Sequence, residues 1–459
     1  MVSEHMLSDF LSETDPYIQQ LDTLSWNTAQ ELYEMLDTAS QTVTDYIKEI
    51  DPKLRAELCT QQDKLLDRIA DLLPDSLEDS LALDKELGVY TPAIQGYRKW
   101  SNTELMKDKG LTGYLLAQVC GILPTMYFCT NSDEYPYLKD LPNLALLFNN
   151  SENAVAAKKD YYDHLNENYK KMDVLILHGM YRQTLEFLAA YRKLRPDGIV
   201  YCGLDLNKYW MKQFDWKNPL IQNFANQCDI IATSCTSMRD ALNLNPDANF
   251  PCRYLPNGFY NPANIPVVAD SNTKENIILT VGRIGTEQKN NEEILIAFAA
   301  VSEALKDWKL RLIGPIESEF EDVINEHFKS RPDLKSRITF TGPITNKNEL
   351  YNEYAKAKVF ALTSIYEGGS PNVYAEALFH GCMFVTSDID AASDITSDGS
   401  LGVSYKTGDF EALANALVKI CTQADKNKIK EHIPKALAYG NKCFDWKRNA
   451  KKLAYMLFR

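Results

Sequence analysis

Short β-rich runs recur along the last two fifths of the chain at an interval that few folds accommodate. They begin near residues 277, 309, 337, 358 and 383, with helical segments between them. A step of roughly 20–30 residues is the length of one strand–helix unit. The segment 292–305 is one such helix, with Ile294, Leu295, Phe298, Val301 and Leu305 recurring near the helical period. Residues 88–257 carry the same alternation less regularly. Runs at 125–130, 144–148, 174–177, 199–202, 230–234 and 253–255 read as strands, and 181–194 as a helix. Strands alternating with helices imply parallel sheets covered on both faces. The expected class is therefore α/β, with two Rossmann-like domains facing each other. Ligands of such sheets bind beyond the carboxyl ends of the strands, so the cleft between the domains is the expected active site.

The rest of the chain reads differently. Residues 258–275 hold Gly258, Pro262, Pro266 and a polar run, which suits a linker. Residues 1–87 show leucines at helical spacing and no strand-like alternation, so three or four amphipathic helices are expected. The charge is concentrated there. The whole chain has a net charge of −14, and residues 1–87 alone hold 20 acidic and 6 basic side chains, so the remainder is balanced. The expected domains are an acidic helical extension at 1–87, a Rossmann-like domain at 88–265, a second at 266–440 and a C-terminal helix at 441–459. The extension is read as a layer packed on the domain that follows it, as an oligomer contact or as a module that recruits a partner.

Composition excludes several classes. The acidic balance argues against broad binding to nucleic acid phosphates. The 10 cysteines are scattered, without C-x-x-C spacing, and fit reduced core thiols. The 6 histidines have no ligand-like spacing, so no metal is expected. The N-terminus lacks the pattern of a secretory signal, and no run approaches the roughly 20 apolar residues of a membrane span. A cytoplasmic protein is expected, with contact at the inner face of the membrane left open.

Two segments carry chemistry. In Val281-Gly282-Arg283-Ile284-Gly285-Thr286-Glu287-Gln288-Lys289, a strand ends in glycine and a loop with two cations precedes a helix. Arginine offers a planar fork and lysine a mobile point charge, a pair suited to a diphosphate leaving group; a loop with ordinary solvated cations is the bland alternative. In Glu367-Gly368-Gly369-Ser370-Pro371-Asn372-Val373-Tyr374-Ala375-Glu376, a strand runs into a glycine-rich loop and then a helix. Glycines allow close backbone approach, and the positive helix end suits phosphate. Glu367 and Glu376 can accept hydrogen bonds from sugar hydroxyls; a helix cap with a solvent-facing glutamate is the alternative.

Together these segments resemble the C-terminal half of the family 4 retaining glycosyltransferases, which have the GT-B fold. The resemblance spans most of 276–459 and includes Arg311-Leu312-Ile313-Gly314-Pro315, Ile338-Thr339-Phe340-Thr341-Gly342 with Pro343 after it, the late loop and helix from Gly402 to Leu413, and the ending Phe444-Asp445-Trp446. It implies that Arg283 and Lys289 stabilise a departing nucleoside diphosphate without a metal. It also implies that Glu376 holds the ribose and Glu367 the donor sugar. Gly282, Gly314, Gly342, Pro343, Gly368, Gly369, Ser370, Pro371, Asn372 and Val373 would line the donor site. The family usually places seven residues between its two glutamates, and this chain has eight between Glu367 and Glu376. A one-residue insertion in the loop accounts for that.

The N-terminal half resembles the family more weakly, through Asp173–His178, Gly203-Leu204-Asp205 and Leu255-Pro256-Asn257-Gly258. His178 and Asp205 stand at strand ends and become catalytic candidates, with ordinary structural roles as the alternative. The family's glycine loop after the first strand is not evident; Gly110 and Gly113, read as preceding a helix at 114–121, are the best substitute. Tyr97 and Trp100 in Tyr97-Arg98-Lys99-Trp100 join them on the acceptor side. A second aromatic–basic cluster runs from Lys208 to Lys217. Such clusters stack on sugars, sit at a bilayer surface or simply pack.

The resemblance implies a hexosyltransferase that retains anomeric configuration, with an acceptor domain at 88–265, on which the acidic extension would pack or for which it would recruit an acceptor, a donor domain at 266–440 and a C-terminal helix at 441–459 that crosses back to the acceptor domain. It would use a nucleotide sugar, UDP-linked in preference to GDP-linked, as substrate and no cofactor. The acceptor would be a hydroxyl on a glycan, a lipid-linked glycan or a protein. An epimerase or phosphorylase-like enzyme on the same fold, and an inactive scaffold that binds a partner through the acidic helices, are the rival readings.

Overall fold

The computed structural model describes residues 4–46, 51–77, 86–97, 100–129, 135–262 and 265–459. The backbone forms two compact units. Unit 1 runs to Tyr260 and takes back Asp445–Arg459, and unit 2 is Asn261–Phe444.

Unit 1 is built on seven strands: β1 (Gly88–Pro92), β2 (Leu123–Cys129), β3 (Ala145–Asn149), β4 (Val174–His178), β5 (Ile199–Leu204), β6 (Ile230–Thr233) and β7 (Arg253–Tyr254). Their order is β3-β2-β1-β4-β5-β6-β7 and every pairing is parallel. The strand order reverses between β1 and β4, which places a ligand crevice at the carboxyl ends of those two strands. The sequence reading missed β1, the strand on which that crevice depends. It is only five residues long and is bounded by glycine and proline, which read as breakers. Gly88 is needed because a Cβ there would sit 1.9 Å from the Lys171 carbonyl oxygen.

The N-terminal region contributes three helices among the described residues, Glu4–Ile18, Trp26–Tyr46 and Pro52–Leu72. They are not peripheral. Leu11, Leu36, Leu58, Leu65 and Ile69 share one hydrophobic cluster with Val89 of β1, Tyr114, and Trp446, Leu453 and Tyr455 of the C-terminal helix Trp446–Phe458. The acidic side chains also turn inward. Asp63 is buried and accepts from Arg253 Nε (2.8 Å), an Arg239 guanidinium nitrogen (3.2 Å) and the Tyr254 amide (3.1 Å). Asp67 and Asp71 hold Arg448 at 2.9 and 2.8 Å, and Lys452 reaches Asp67 at 2.9 Å. Part of the acidic excess of residues 1–87 is thus matched to cations of the charge-balanced remainder of the chain.

Unit 2 repeats the plan with six parallel strands: β8 (Glu275–Val281), β9 (Lys309–Ile313), β10 (Ile338–Phe340), β11 (Ala357–Leu362), β12 (Met383–Ser387) and β13 (Gly402–Tyr405). The order is β10-β9-β8-β11-β12-β13, so the reversal falls between β8 and β11. Its core joins Ile278, Phe298, Leu310, Val359, Val385 and Leu417. The run at 402–405, read as part of a loop, is the edge strand, paired with Phe384–Ser387. The helix expected over 292–305 is shorter, Asn291–Ala300, and continues only as turns. No helix of the described residues is long and apolar enough to cross a membrane.

Candidate functional site

In unit 2 both motifs found in the sequence leave strands that flank the reversal. The first follows β8. Gly282 donates its amide to the Ile313 carbonyl (2.9 Å), and Gly314 donates to the Gly342 carbonyl (3.0 Å), so three loop glycines lie side by side beyond β8, β9 and β10. Gly314 has φ +147°, and a Cβ on it would sit 1.7 Å from the Gly282 carbonyl oxygen. Only glycine lets these two loops run this close. Beyond Gly282, Arg283 is exposed, and its guanidinium donates to Gln288 Oε1 at 2.8 Å. A 3-10 turn, Glu287–Lys289, then brings Lys289 into a largely buried position.

The second motif follows β11 and is stitched to the first. The Ile365 amide donates to the Gln288 carbonyl (2.8 Å), Gln288 Nε2 donates to the Tyr366 carbonyl (3.0 Å), and Thr363 Oγ1 donates to the Lys289 carbonyl (2.8 Å). Glu367 therefore folds back on the first loop. Its carboxylate pairs with the Lys289 ammonium and accepts from Ser364 Oγ (2.5 Å) and Gln288 Nε2 (3.2 Å). The extra residue between the two glutamates does not prevent Glu367 from reaching the cationic loop. Gly368 and Gly369 follow, with Gly369 at φ +100°, and then Ser370, which is buried. Pro371 is the N-cap of the helix Asn372–Phe379, which begins without a side-chain cap, so first-turn amides such as that of Val373 carry no capping bond from the cap residue. Asn372 Oδ1 is buried without a hydrogen-bond partner at the same helix start.

Glu376 lies one turn further on and is held separately. Lys347 Nζ donates to one carboxylate oxygen and Tyr354 Oη to the other, each at 2.8 Å. Each oxygen keeps a further lone pair for a ligand hydroxyl. Beneath it, the buried Lys274 amine donates to the carbonyls of Tyr354 (3.1 Å), Ala357 (2.6 Å) and His380 (2.6 Å) and ties this helix pair to the sheet. Lys347, Tyr354 and Lys274 belong to no motif in the sequence and were missed, and Gln288 and Ser364, which stand within or beside the two motifs, were given no role. Pro343 is exposed beside Gly342.

In unit 1 the residues gather at the β1 and β4 ends. His178 closes β4, and its Nε2 is buried without a partner. Burial, aided by the Lys109 charge, pushes its pKa down to about 3, so the imidazole is neutral at physiological pH. A neutral ring can hydrogen-bond a hydroxyl but is a weak base. Asp205 follows β5 and accepts from Tyr181 Oη at 3.1 Å, with Lys109 Nζ 4.0 Å away. Its pKa is raised, chiefly by burial. Asp108 Oδ2 stands 3.9 Å from His178 Nδ1. Beside them lies a cavity of about 460 Å³ lined by Gln95, Gly96, Trp100, Ser101, Glu104, Lys109 and Gln183.

Three acceptor-side expectations need correction. The helix carrying Gly110 and Gly113 starts at Asp108, not at 114. Both glycines are buried inside it, and a Cβ on Gly113 would meet Thr91 Oγ1 at 2.4 Å, so they serve the packing of helix on sheet. The glycine in the loop beyond β1 is Gly96, with φ +67°. Tyr97 is a core residue against Tyr161, with ring centroids 5.7 Å apart. Trp100 does line the cavity, with Lys109 Nζ 5.1 Å from its ring centroid. Arg98 and Lys99 lie outside the described residues.

His178 also makes a pH prediction. Its folded pKa lies below the ordinary 6.5, so the unfolded chain binds a proton that the folded chain refuses. Its contribution to stability is complete above about pH 6.5 and is lost as pH falls toward about 3. The urea midpoint of the wild type should fall more steeply between pH 7 and 5 than that of His178→Gln; parallel falls would refute the assignment.

Residues 275–423 match the family model for glycosyl transferases group 1. A phosphatidyl-myo-inositol mannosyltransferase of Mycobacterium leprae (strain TN) is 26% identical over 170 residues, 37% of this chain and 42% of that protein. The match thus spans less than half the length of that relative. Among solved structures, the sucrose-phosphate synthase of Thermosynechococcus elongatus superposes with a TM-score of 0.59 at 16% identity, over 80% of this chain and 98% of that one. Anabaena Alr3699/HepE in complex with UDP and glucose superposes with a TM-score of 0.56 at 15% identity, over 80% and 98%. At such identities the likeness is one of fold.

Proposed function

We propose, for a chain whose residues 275–423 match the family model for glycosyl transferases group 1, that it transfers a hexose from a nucleoside diphosphate sugar to an acceptor hydroxyl with retention of configuration. The observation that carries this reading is the gathering of Arg283, Lys289 and Glu367 on loops leaving β8 and β11, the strands that flank the reversal in unit 2. Glu376 stands on the helix that follows.

On this reading Glu376, pre-oriented by Lys347 and Tyr354, accepts from the ribose hydroxyls. The helix start at Asn372 and the backbone of 368–370 meet phosphate and sugar. Charge develops on the departing diphosphate, and Arg283 and Lys289 oppose it without a metal. The Lys289–Glu367 pair divides its duties when the donor enters, the ammonium turning to phosphate and the carboxylate to sugar hydroxyls. The bond from the sugar's anomeric carbon to the phosphate oxygen breaks, and a bond to the acceptor oxygen forms on the same face. The acceptor proton passes to the leaving phosphate oxygen, so no protein base is required. UDP is favoured as the carrier because a structural neighbour is solved with UDP and glucose. Unit 1 takes the acceptor, a hydroxyl on a glycan, a lipid-linked glycan or a protein, with His178 and Asp205 as its hydrogen-bonding groups. A cytoplasmic location suits such a donor.

Calorimetry with UDP, GDP and their hexose conjugates tests the reading. At least one nucleoside diphosphate should bind, and Glu376→Gln should weaken it roughly 10- to 100-fold, the worth of hydrogen bonds to a charged group. Absence of binding by every member of the panel to the folded wild type would overturn the proposal.

A further inference from the structure

Unit 2 carries a groove that takes no part in the site described above. It lies between the helix Asn291–Ala300, which follows β8, and the helix Phe320–Ser330, which follows β9. β8, β9 and β10 are neighbours in the sheet and are connected in that order, so right-handed crossovers place both helices on one face. The pair is bridged at both ends. At one end the Gly285 amide donates to Asn291 Oδ1 (2.8 Å), and Phe320 packs so close that a Cβ on Gly285 would meet it at 2.3 Å. At the other end the Arg331 guanidinium donates to the Ala299 carbonyl and to Ser302 Oγ, each at 2.8 Å. Between the bridges a cavity of about 560 Å³ opens, so a partner would meet walls already held in place.

The floor of the groove is apolar and its rim is acidic. Leu295, Ile296 and Val323 line it, and Ile296 is 42% exposed. Glu292, Asp322 and Glu326 line it too, and all three are exposed. Glu326 meets Lys329 at 3.2 Å across one exposed turn, an arrangement of little worth. Glu292 and Asp322 pair with no cation among the described residues. His327 stands on the same wall, and burial lowers its pKa. No side chain lining the groove is therefore a cation at neutral pH. The acids continue along the chain, since residues 317–326 hold five acidic and no basic side chains.

We infer that this groove seats a basic amphipathic helix of a partner protein. The three carboxylates of the rim are complementary to lysine and arginine. The apolar floor is covered only if the partner also brings an apolar side chain, which a solvated cation does not. The lining helices bond their own main chains, so an extended peptide finds no strand edge to join, whereas a helix arrives with its main chain satisfied. Ten and eleven residues make each wall about 15 Å long, so the seat accepts about three turns. Apolar residues at i, i+3 and i+4 of the partner would enter the floor, and its flanking cations would meet the rim. The groove is independent of the transferase reading.

Calorimetry of the full chain with a lactam-bridged helical peptide of about 12 residues, with leucines on one face and lysines on the other, tests the surface. The peptide should bind at one site, and more weakly as salt rises. Glu292→Gln/Asp322→Asn/Glu326→Gln should weaken it roughly 10- to 100-fold, the loss of three exposed ion pairs together. Ile296→Ser should weaken it roughly 10-fold, the loss of one apolar anchor. Neutralising three exposed acids elsewhere in unit 2, Asp307→Asn/Glu411→Gln/Glu431→Gln, should leave the affinity nearly unchanged, with melting curves showing every variant folded. No binding, or wild-type binding by Ile296→Ser, would overturn the inference. Equal weakening by the control set would overturn it too, because the attraction would then be to the chain's overall charge. So would equal binding of a peptide of the same composition with its leucines out of helical register. Spermine binding that needs the three rim acids, in a protein that ignores the peptide, would make the ligand a small polycation and would equally end the proposal.

Discussion

Lys289→Ala should lower the transfer rate by roughly 100- to 1,000-fold, the usual loss when one pre-organised donor to a developing anion is removed. Arg283→Ala should fall in the same range. The two variants differ in how they get there. Arg283 is exposed and its guanidinium donates to Gln288, so its loss should act on turnover with the melting temperature nearly unchanged. Lys289 is largely buried against Glu367. Its removal leaves that carboxylate with Ser364 Oγ and Gln288 Nε2 as its remaining named donors, so donor affinity should change together with kcat. Steady-state kinetics on the donor, with a melting curve as control, separates the two. Near-normal turnover in both variants would remove the electrostatic mechanism.

Asp63→Ala should destabilise the protein by about 3–5 kcal/mol, the scale for breaking a buried ion pair and stranding its partner charges. Two arginines would lose their shared carboxylate, Arg253 in the strand β7 and Arg239 in the helix Thr236–Asn243. Tyr33 accepts from Arg253 at 3.1 Å and would not replace a charge. Asp51→Ala on the same helix is the control. It removes an N-cap that accepts from the Lys53 and Leu54 amides, which is worth about 1 kcal/mol. Urea denaturation of both variants measures the difference; equal midpoints would show that the buried cluster contributes no more than an exposed cap. The same cluster explains why removing the N-terminal helices is not a neutral truncation. It would uncover β1, the helix Asp108–Cys120 and the C-terminal helix at their shared core.

The part of the candidate site in unit 2 was the most legible. Its motifs are local: a strand, a glycine, two cations within seven residues, and a glycine-rich loop entering a helix. Each piece is specified by near neighbours along the chain, so reading along the chain finds it. The part in unit 1 was not legible in the same way. Gly113 is a glycine because the Thr91 hydroxyl of β1 occupies the space a side chain would need, and that contact comes from a strand more than twenty residues away. β1 escaped notice because its ends are glycine and proline, yet it is central in the sheet because its neighbours β2 and β4 pair with it.

The sequence by itself determined the class of fold, the position of the cationic loop, and the glutamates of the second motif. Helical period, strand composition and glycine placement are properties of short segments, and they persist whatever the rest of the chain does. Only the tertiary structure decided what those groups touch. Glu367 meets Lys289 across 78 positions, Glu376 is oriented by a helix two elements earlier, and Asp63 finds its arginines 176 and 190 residues away. The charge of the first 87 residues becomes in part an internal counter-charge. A carboxylate's role is set by the cation that shares its low-dielectric surroundings, and the chain acquires that partner only when it folds.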